Sequence, residues 1–225
     1  MKRIWIVICF ITFIVITQAS AADDQSLIIS GQEAALRDNI VLTIDDCVDE
    51  ANVRAIFSLL KDRGLRATFF PNTHNMLKHD PQLWRDIVAA GNEIGYHTRY
   101  HRAGLSVKKL AEDFATFQDE VRQILGDPTY TIRYVRPPDG LWNADWLTWA
   151  SANGLYTVKW NIVPPVEISY LQAVLADEQG GGILLLHPVD NNIRWLEKNL
   201  DTLMQLQNSN GSPYKITMLS NAVND

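Results

Sequence analysis

Short apolar segments that alternate with amphipathic helical segments are the feature that most constrains the fold of this 225-residue chain. The strand-like segments occupy residues 40–44, 67–70, 93–97, 131–136, 157–161, 183–187 and 215–219. Most of the intervals carry apolar residues at helical spacing, as at Val53, Ile56 and Leu60. Such alternation predicts an α/β fold with a parallel sheet covered by helices. The strands either close into a barrel or form an open doubly wound sheet.

The first 21 residues have the three-part pattern of a secretory signal peptide. Lys2 and Arg3 precede an apolar stretch at residues 4–16, and Ala19-Ser20-Ala21 offers a small-residue cleavage site. The apolar stretch is shorter than the ~20 residues that span a bilayer, which favours cleavage over a retained anchor. We therefore expect an exported protein, periplasmic or secreted, with no stable membrane insertion after cleavage and a single domain at residues 22–225.

The charge balance argues against a nucleic-acid partner. The chain has a net charge of −6 at neutral pH and contains no run of lysines and arginines. Cleavage of the signal peptide would remove Lys2 and Arg3, which takes the net charge from −6 to −8. It would also remove Cys9 and leave Cys47 as the only cysteine. The fold must then be supported by its core without an intramolecular disulfide.

Two adjacent carboxylates end the first strand-like segment, in the sequence Thr43-Ile44-Asp45-Asp46-Cys47. Neighbouring side chains of a strand point to opposite faces, so Asp45 and Asp46 can serve different roles. Adjacent like charges disfavour each other's ionisation unless a cation or an arginine compensates them. A helix N-cap is the purely structural explanation for one of the two.

Polar residues at the ends of four strand-like segments predict a functional site. They are Asp45-Asp46, His97, Arg136 and His187. In parallel α/β barrels, active sites assemble at the carboxyl ends of the strands. His97 and His101 lie four residues apart, which places two imidazoles on one face if the segment turns helically. With a carboxylate they form a two-histidine, one-carboxylate metal site, which suits zinc and also cobalt or iron.

Four sequence motifs resemble those of the polysaccharide deacetylase family, the fourth family of carbohydrate esterases. The motif T-F-D-D-G corresponds to residues 43–47, and H-[ST]-x-x-H corresponds to residues 97–101. The motif R-x-P-Y-G is matched in part by residues 136–140, and L-x-H is matched by residues 185–187. The resemblance extends from about residue 40 to residue 219. It implies a distorted (β/α)7 barrel and a hydrolase that removes acetyl groups from N-acetylated or O-acetylated polysaccharide.

The resemblance also implies a role for individual residues. The ligands of a divalent ion, Zn²⁺ or Co²⁺, would be Asp46, His97 and His101. Asp45 would be the general base, held in its charged form by Arg136, and His187 would be the general acid. The residues that contact the N-acetylated glycan would be Leu185, Pro138 and Asp139. Leu185 would lie against the acetyl methyl group, and the backbone N–H of Asp139 would serve the oxyanion.

Three positions depart from the family pattern. Cys47 replaces a glycine, and if that position needs a positive φ, cysteine would be strained by about 1–3 kcal/mol. It is either a tolerated small residue or a thiol near the metal. Asp139 replaces a tyrosine and adds a carboxylate. A further motif of the family, D-x-x-D-W, which is its fourth in chain order, has no good match here. Val163 replaces the aspartate that supports the acid histidine in the family, and Asn161 or Glu167 could take over that support. This loss also fits a catalytically weakened member that binds glycan or metal without turnover.

Overall fold

The computed structural model describes residues 28–31, 36–177 and 181–223. The predicted signal peptide, residues 1–21, lies outside the described residues and stays a prediction. Within the described ranges, no helix combines the length and the apolar character needed to cross a membrane.

Eight strands and eight α-helices make up the described part of the chain. The strands are β1 (Ile28–Ile29), β2 (Asn39–Asp46), β3 (Thr68–Pro71), β4 (Glu93–Ile94), β5 (Tyr134–Val135), β6 (Tyr156–Val158), β7 (Gly182–Leu186) and β8 (Lys215–Thr217). The helices are α1 (Glu50–Lys61), α2 (Thr73–Met76), α3 (Pro81–Ala89), α4 (Val107–Leu125), α5 (Ala144–Ala152), α6 (Ile168–Asp177), α7 (Asp190–Leu203) and α8 (Leu219–Val223). A 3₁₀ turn spans Pro138–Gly140.

The strands form two parallel sheets whose edges meet. In the larger sheet, β2 pairs with β7 on one side, and on the other side with β8 along its first half and β3 along its second half. Strand β4 follows β3, and the smaller sheet has the order β1-β6-β5. Single parallel bridges join Tyr96 to Val135 and Ile162 to Leu184. Strands β2 to β7 therefore follow one another around a ring, which is the expected distorted barrel.

Each of the seven predicted strand segments contains a strand, but several strands are shorter than predicted. Only Tyr134–Val135 of residues 131–136 pairs as a strand, and only Glu93–Ile94 of residues 93–97 does. These strands meet at one of the two joints of the ring, where a single bridge replaces a continuous ladder. Strand β1 was not predicted from the sequence, because two residues carry no periodic signal.

The alternation of side chains along β2 explains where Asp45 lies. Val41 packs inside the ring, in a cluster that includes Phe70 and Ile183. The residues of the opposite face, which pack in the cluster that includes the helices, are Ile40, Leu42 and Ile44. By the two-residue period, Asp45 shares the inner face with Val41. The side chain of Asp45 is 4% exposed and that of Asp46 is 27% exposed, so the two carboxylates occupy different environments, as predicted.

Candidate metal and catalytic site

Asp46 lies between two histidines at the carboxyl end of β2. Its Oδ1 is 3.4 Å from Nε2 of His97 and 3.4 Å from Nε2 of His101. This oxygen is buried, and it has no hydrogen-bond partner among the described residues. Zinc–ligand bonds of about 2.0–2.2 Å at tetrahedral angles separate neighbouring ligand atoms by about 3.4 Å. The three residues therefore fit a divalent cation.

His97 is oriented by the main chain that follows β5. Its Nδ1 lies 2.7 Å from the carbonyl oxygen of Arg136 and donates to it. The lone pair of Nε2 is then directed toward Asp46, which is the arrangement of a metal-binding histidine. Burial lowers the pKa of His97, but the charges of Asp45 and Asp46 and the carbonyl oxygen raise it by more, so the pKa lies above its ordinary value. The same negative charges favour a cation at Nε2.

Residues 97–101 reach this geometry as a loop, so the condition of a helical turn, under which the four-residue spacing was considered, is not met. Thr98 has a φ of 58° and His101 a φ of 53°, a left-handed conformation that is uncommon for residues other than glycine. The loop is held from β3, because the side-chain amide of Asn72 donates to the carbonyl oxygens of His97, at 2.9 Å, and Thr98, at 3.1 Å. The left-handed conformation of Thr98 and His101 and the side chain of Asn72 thus give this segment its loop conformation.

Asp45 is paired with a buried arginine inside the ring. Nη1 of Arg136 donates to Oδ1 of Asp45 at 2.7 Å and to Oγ1 of Thr43 at 2.8 Å. The hydroxyl of Thr43 donates in turn to the carbonyl oxygen of Leu184 at 2.6 Å. The other oxygen of Asp45, Oδ2, lies 3.8 Å from Nε2 of His97. One oxygen of Asp45 is therefore fixed by the arginine, and the other faces the histidine site.

The Arg136 side chain is enclosed by aromatic rings and carbonyl groups. Its Nη2 donates to the carbonyl oxygen of Lys159 at 2.9 Å, and Nε donates to that of Val158 at 3.3 Å. The guanidinium lies 4.4 Å from the ring centroid of Phe70 and 5.4 Å from that of Trp160. Burial lowers the pKa of Arg136, although Asp45 raises it in part. These hydrogen bonds and ring contacts fix the orientation of the Arg136 guanidinium group, whose N–H groups hold Asp45.

His187 approaches Asp46 from β7. Its Nε2 lies 3.8 Å from Oδ2 of Asp46, and its side chain is 38% exposed. The backbone N–H of His187 donates to Oδ1 of Asn192 at 2.7 Å, and the amide of Asn192 donates to the carbonyl oxygen of Pro164 at 3.0 Å. Asn192 thus ties the end of β7 to the segment where the fourth motif is expected.

That segment supplies no acidic partner to His187 in the part of the chain that the structure describes. Val163 is 51% exposed and carries no carboxylate. The side chain of Asn161 is hydrogen-bonded to β7, where its Oδ1 accepts from the N–H of Ile183 at 2.7 Å. Glu167 is exposed and forms no hydrogen bond or ion pair with His187. Neither of the two suggested substitutes replaces the missing aspartate.

Three histidines determine the ionisation of Asp46. Burial raises its pKa, but His97, His101 and His187 lower it by more, so the pKa lies below its ordinary value. Asp46 is therefore an ionised carboxylate that faces imidazole nitrogens.

The helix N-cap explanation does not apply to either aspartate of the pair, because Asp49 is the N-cap of α1 and accepts from the N–H of Asn52.

Cys47 belongs to the core rather than to the ligand set. Its φ is 51°, so this position does require the left-handed conformation that favours glycine. The side chain is fully buried in the cluster that contains Ile44 and Val53. Burial, with the charges of Asp45 and Asp46, raises the pKa of the thiol. A buried small side chain beside the site is the interpretation that these contacts favour.

The three predicted substrate-binding residues lie on two elements. Leu185 pairs in register with Thr43 and is 6% exposed. Pro138 is buried in the 3₁₀ turn, and Asp139 is exposed there with a φ of 57°. Neither of the two clefts that border Asp46 is lined by these residues. Their contacts with a substrate stay predictions.

Sequence reasoning missed two asparagines that position the site. The side-chain amide of Asn72 donates to two adjacent carbonyl oxygens of the loop that follows His97, and that of Asn192 joins main-chain groups of two segments. Asn72 directly follows β3, so the placement of polar residues after strands was a signal that could have identified it. Asn192 lies in the first turn of α7 and gives no comparable signal.

The fold and the site together define an α/β-barrel protein with one carboxylate and two histidines grouped at the carboxyl ends of its strands. The chain belongs to the polysaccharide deacetylase family, whose model matches residues 33–158. A chitooligosaccharide deacetylase from Rhizobium leguminosarum bv. trifolii is 31% identical over 159 residues, which cover 66% of this chain and 71% of the relative. The predicted family is therefore confirmed.

Solved structures support the fold. A family 4 carbohydrate esterase from Bacillus anthracis has a TM-score of 0.71 at 24% identity, with 89% of this chain and 88% of that chain covered. A pseudoenzyme of the same esterase family, also from Bacillus anthracis, has a TM-score of 0.71 at 19% identity, with 87% and 68% covered. At these identities the likeness shows the fold alone, and it confirms the predicted α/β barrel.

Proposed function

We propose that the protein is a metal-dependent deacetylase of N-acetylated glycans, a hydrolase of carbon–nitrogen bonds other than peptide bonds. The observation that carries this proposal is the buried Oδ1 of Asp46, which lies 3.4 Å from an imidazole nitrogen of each of two histidines and has no hydrogen-bond partner in the described part of the chain. Zinc suits this donor set, and cobalt is an alternative. The relative that acts on chitooligosaccharides supports an acetylated sugar as the substrate.

The residues around the cation site have positions that fit a hydrolytic reaction. When bound by Asp46, His97 and His101, a divalent ion would supply Lewis-acid polarisation of the acetyl carbonyl. Asp45, fixed at Oδ1 by Arg136, has Oδ2 free to take a proton from the attacking water.

His187 completes the proton transfers. Its Nε2 faces Asp46 from the β7 side, and its side chain is partly exposed. As the carbon–nitrogen bond breaks, Nε2 gives its proton to the leaving nitrogen. The products are the free amine of the sugar and acetic acid, which releases a proton to solvent and becomes acetate. The proton taken by Asp45 and the proton given by His187 balance the reaction.

A second candidate is a catalytically weakened member that binds glycan or metal without turnover. The observation that favours it is the environment of His187, which has no carboxylate partner other than Asp46 among the described residues. An acid histidine without its supporting carboxylate is less well oriented for proton transfer.

Acetate release distinguishes the two candidates. The protein is assayed on chitin oligosaccharides, peptidoglycan, poly-N-acetylglucosamine and acetylated xylan, with and without a chelator. We expect release from an N-acetylated substrate that stops with the chelator and returns with added Zn²⁺. Metal binding without release from any substrate would support the weakened member. Release that a chelator does not affect would contradict metal dependence.

We further propose that the protein is exported and that residues 1–21 are removed. The basic, apolar and small-residue segments of the amino terminus support this. Amino-terminal sequencing of protein recovered from the extracytoplasmic fraction should begin at Ala22. Recovery of the intact chain from the cytoplasm would overturn the proposal.

A further inference from the structure

Two clefts meet at Asp46. The first has a volume of about 490 Å³ and is lined by residues that include Asn72, His74, Tyr100 and Arg102. The second has a volume of about 330 Å³ and is lined by residues that include Pro164, His187 and Val189. Asp46 and Val48 border both clefts. A glycan that places its acetyl group at Asp46 therefore extends neighbouring sugars into one cleft or both.

The two clefts differ in charge. The wall of the first cleft includes Arg99 and Arg102 as well as the 45% exposed ring of Tyr100. The second cleft is lined mainly by prolines and small polar or apolar residues, and His187 is its one basic residue. The two sides of the reacting centre thus offer different chemistry to a substrate, and only the first offers guanidinium groups.

The ring of Tyr100 organises the first cleft. The ring of His74 lies 4.9 Å from it between centroids. The guanidinium carbons of Arg99 and Arg102 lie 5.1 Å and 5.3 Å from its centroid. Cation–π contacts at these distances restrict the guanidinium groups. The result is a partly exposed aromatic ring in the wall of the cleft, with guanidinium groups over it.

Of the two arginines, only Arg102 is available to a ligand. Arg99 forms a two-point ion pair with Glu120, through Nε to Oε2 at 2.9 Å and through Nη2 to Oε1. Arg102 is exposed, and no carboxylate of the described residues lies within ion-pair distance of it. Its backbone N–H donates to Oγ1 of Thr98 at 2.9 Å, which anchors it to the loop that carries His101.

The acidic residues near Arg102 are engaged elsewhere. Asp113 accepts from the hydroxyl of Tyr96 at 2.7 Å and from the N–H of Arg99 at 3.0 Å. Glu112 lies 3.9 Å from Nζ of Lys108. Both line a further depression, to which Arg102 and Tyr100 also contribute. The guanidinium of Arg102 therefore has no ion-pair partner among the described residues, in a chain whose net charge is −6.

We propose that Arg102 and Tyr100 form a subsite for a carboxylate-bearing sugar next to the N-acetylated sugar that is hydrolysed. A guanidinium group binds a carboxylate through two parallel hydrogen bonds, which gives orientation as well as affinity. The carboxylate belongs either to a uronic acid or to a lactyl ether of an amino sugar. The proposal rests on the deacetylase function and adds the class of substrate, an acidic N-acetylated glycan.

The test compares two matched substrate pairs. Each pair is an N-acetylated oligosaccharide with its carboxylate intact and the same compound with the carboxylate reduced to an alcohol; one pair carries a uronic acid and the other a lactyl ether. The wild type should prefer the intact member of one pair by about tenfold in kcat/KM, and that pair identifies the source of the carboxylate. Added salt should reduce the preference.

The variant Arg102→Gln should remove this preference through KM. The contact lies away from the reacting atoms, so it stabilises the ground state and the transition state equally, and kcat should not change. Arg102→Lys should retain part of the preference, because it keeps the charge and loses the planar fork. The matched control is Arg133→Gln. Arg133 is an exposed arginine over the ring of Tyr156 at 6.0 Å, and it precedes β5 at the other end of the barrel, so the preference should persist.

The outcomes separate the subsite from the reaction. Equal turnover of both members of both pairs by the wild type, or an unchanged preference in Arg102→Gln, overturns the subsite and leaves the deacetylase function intact. If the wild type releases no acetate from any substrate, calorimetry with the intact and reduced compounds still tests the subsite. Tighter binding of the intact compound by the wild type, lost in Arg102→Gln, supports it. Equal binding by the two proteins overturns it.

Discussion

Nη1 of Arg136 lies 2.7 Å from Oδ1 of Asp45, and the side chains of this pair are 0% and 4% exposed. The next residue, Asp46, pairs with no arginine of the described residues and faces the imidazole rings of His97 and His101 instead. Two adjacent carboxylates therefore have different surroundings: one is paired with a buried guanidinium group, and the other faces two imidazole rings. Their separation follows from the two-residue period at the end of β2.

This separation predicts different effects for the two isosteric substitutions. Asp46→Asn should lose both the bound ion and the activity, because it removes the anionic ligand. Asp45→Asn should retain the ion and the fold, because the asparagine oxygen still accepts from Arg136. Turnover should fall by about 10²–10⁴-fold, the usual contribution of a general base. Metal analysis, circular dichroism and acetate release on both variants measure these effects. Loss of the ion in Asp45→Asn with retention in Asp46→Asn would show that the roles are reversed.

The buried pair also predicts a strong effect on stability. Arg136→Met leaves the Asp45 carboxylate buried without its partner, which should lower the free energy of unfolding by about 3–5 kcal/mol. In the double variant Asp45→Asn/Arg136→Met the uncompensated charge is gone. The two effects should therefore be less than additive, with a coupling of about 0.5–3 kcal/mol. Denaturant unfolding of the wild type, both single variants and the double variant measures the coupling. Simple additivity would show that the pair does not act as a unit.

The sequence predicted the family, the α/β class and the grouping of the polar residues that end the strand-like segments, because these depend on local patterns. The period of two along residues 40–44 determines which side chains of β2 point into the ring and which point toward the helices. Motif spacing could not reveal the conformation of residues 97–101. A separation of four residues suits a helix, but the side chain of Asn72 holds this segment as a loop with two left-handed residues. Such a contact joins residues about 25 positions apart, and no local pattern encodes it.

The surroundings of His187 were equally hidden in the sequence. The missing fourth motif suggested Asn161 or Glu167 as a replacement partner. The structure shows instead that Asn161 is bound to the N–H of Ile183 and that the amide of Asn192 joins Pro164 to His187. Which of several polar residues reaches a given atom depends on how β7 and α7 pack, so it requires the three-dimensional arrangement.

The thiol of Cys47 should be unreactive in the folded protein. It is fully buried, and burial with the neighbouring carboxylates raises its pKa, so the reactive thiolate is scarce at neutral pH. Iodoacetamide should label the peptide that contains Cys47 only after denaturant is added, as measured by mass spectrometry. The denatured protein is the positive control. Rapid labelling of the native protein would show that the thiol faces the site.

Asn192 should act as a positioning residue for His187. In Asn192→Ala, the N–H of His187 and the carbonyl oxygen of Pro164 lose their shared partner, which should cost about 1–3 kcal/mol of stability. Because the ligands of the predicted cation site are untouched, the bound ion should remain. The value of kcat should fall, since His187 would be less well directed. The comparison is Asn199→Ala, a buried asparagine of the same helix whose amide donates to the carbonyl oxygen of Trp195 at 2.8 Å. That variant should lose stability without a selective loss of kcat, and equal kcat values in the two variants would contradict a positioning role for Asn192.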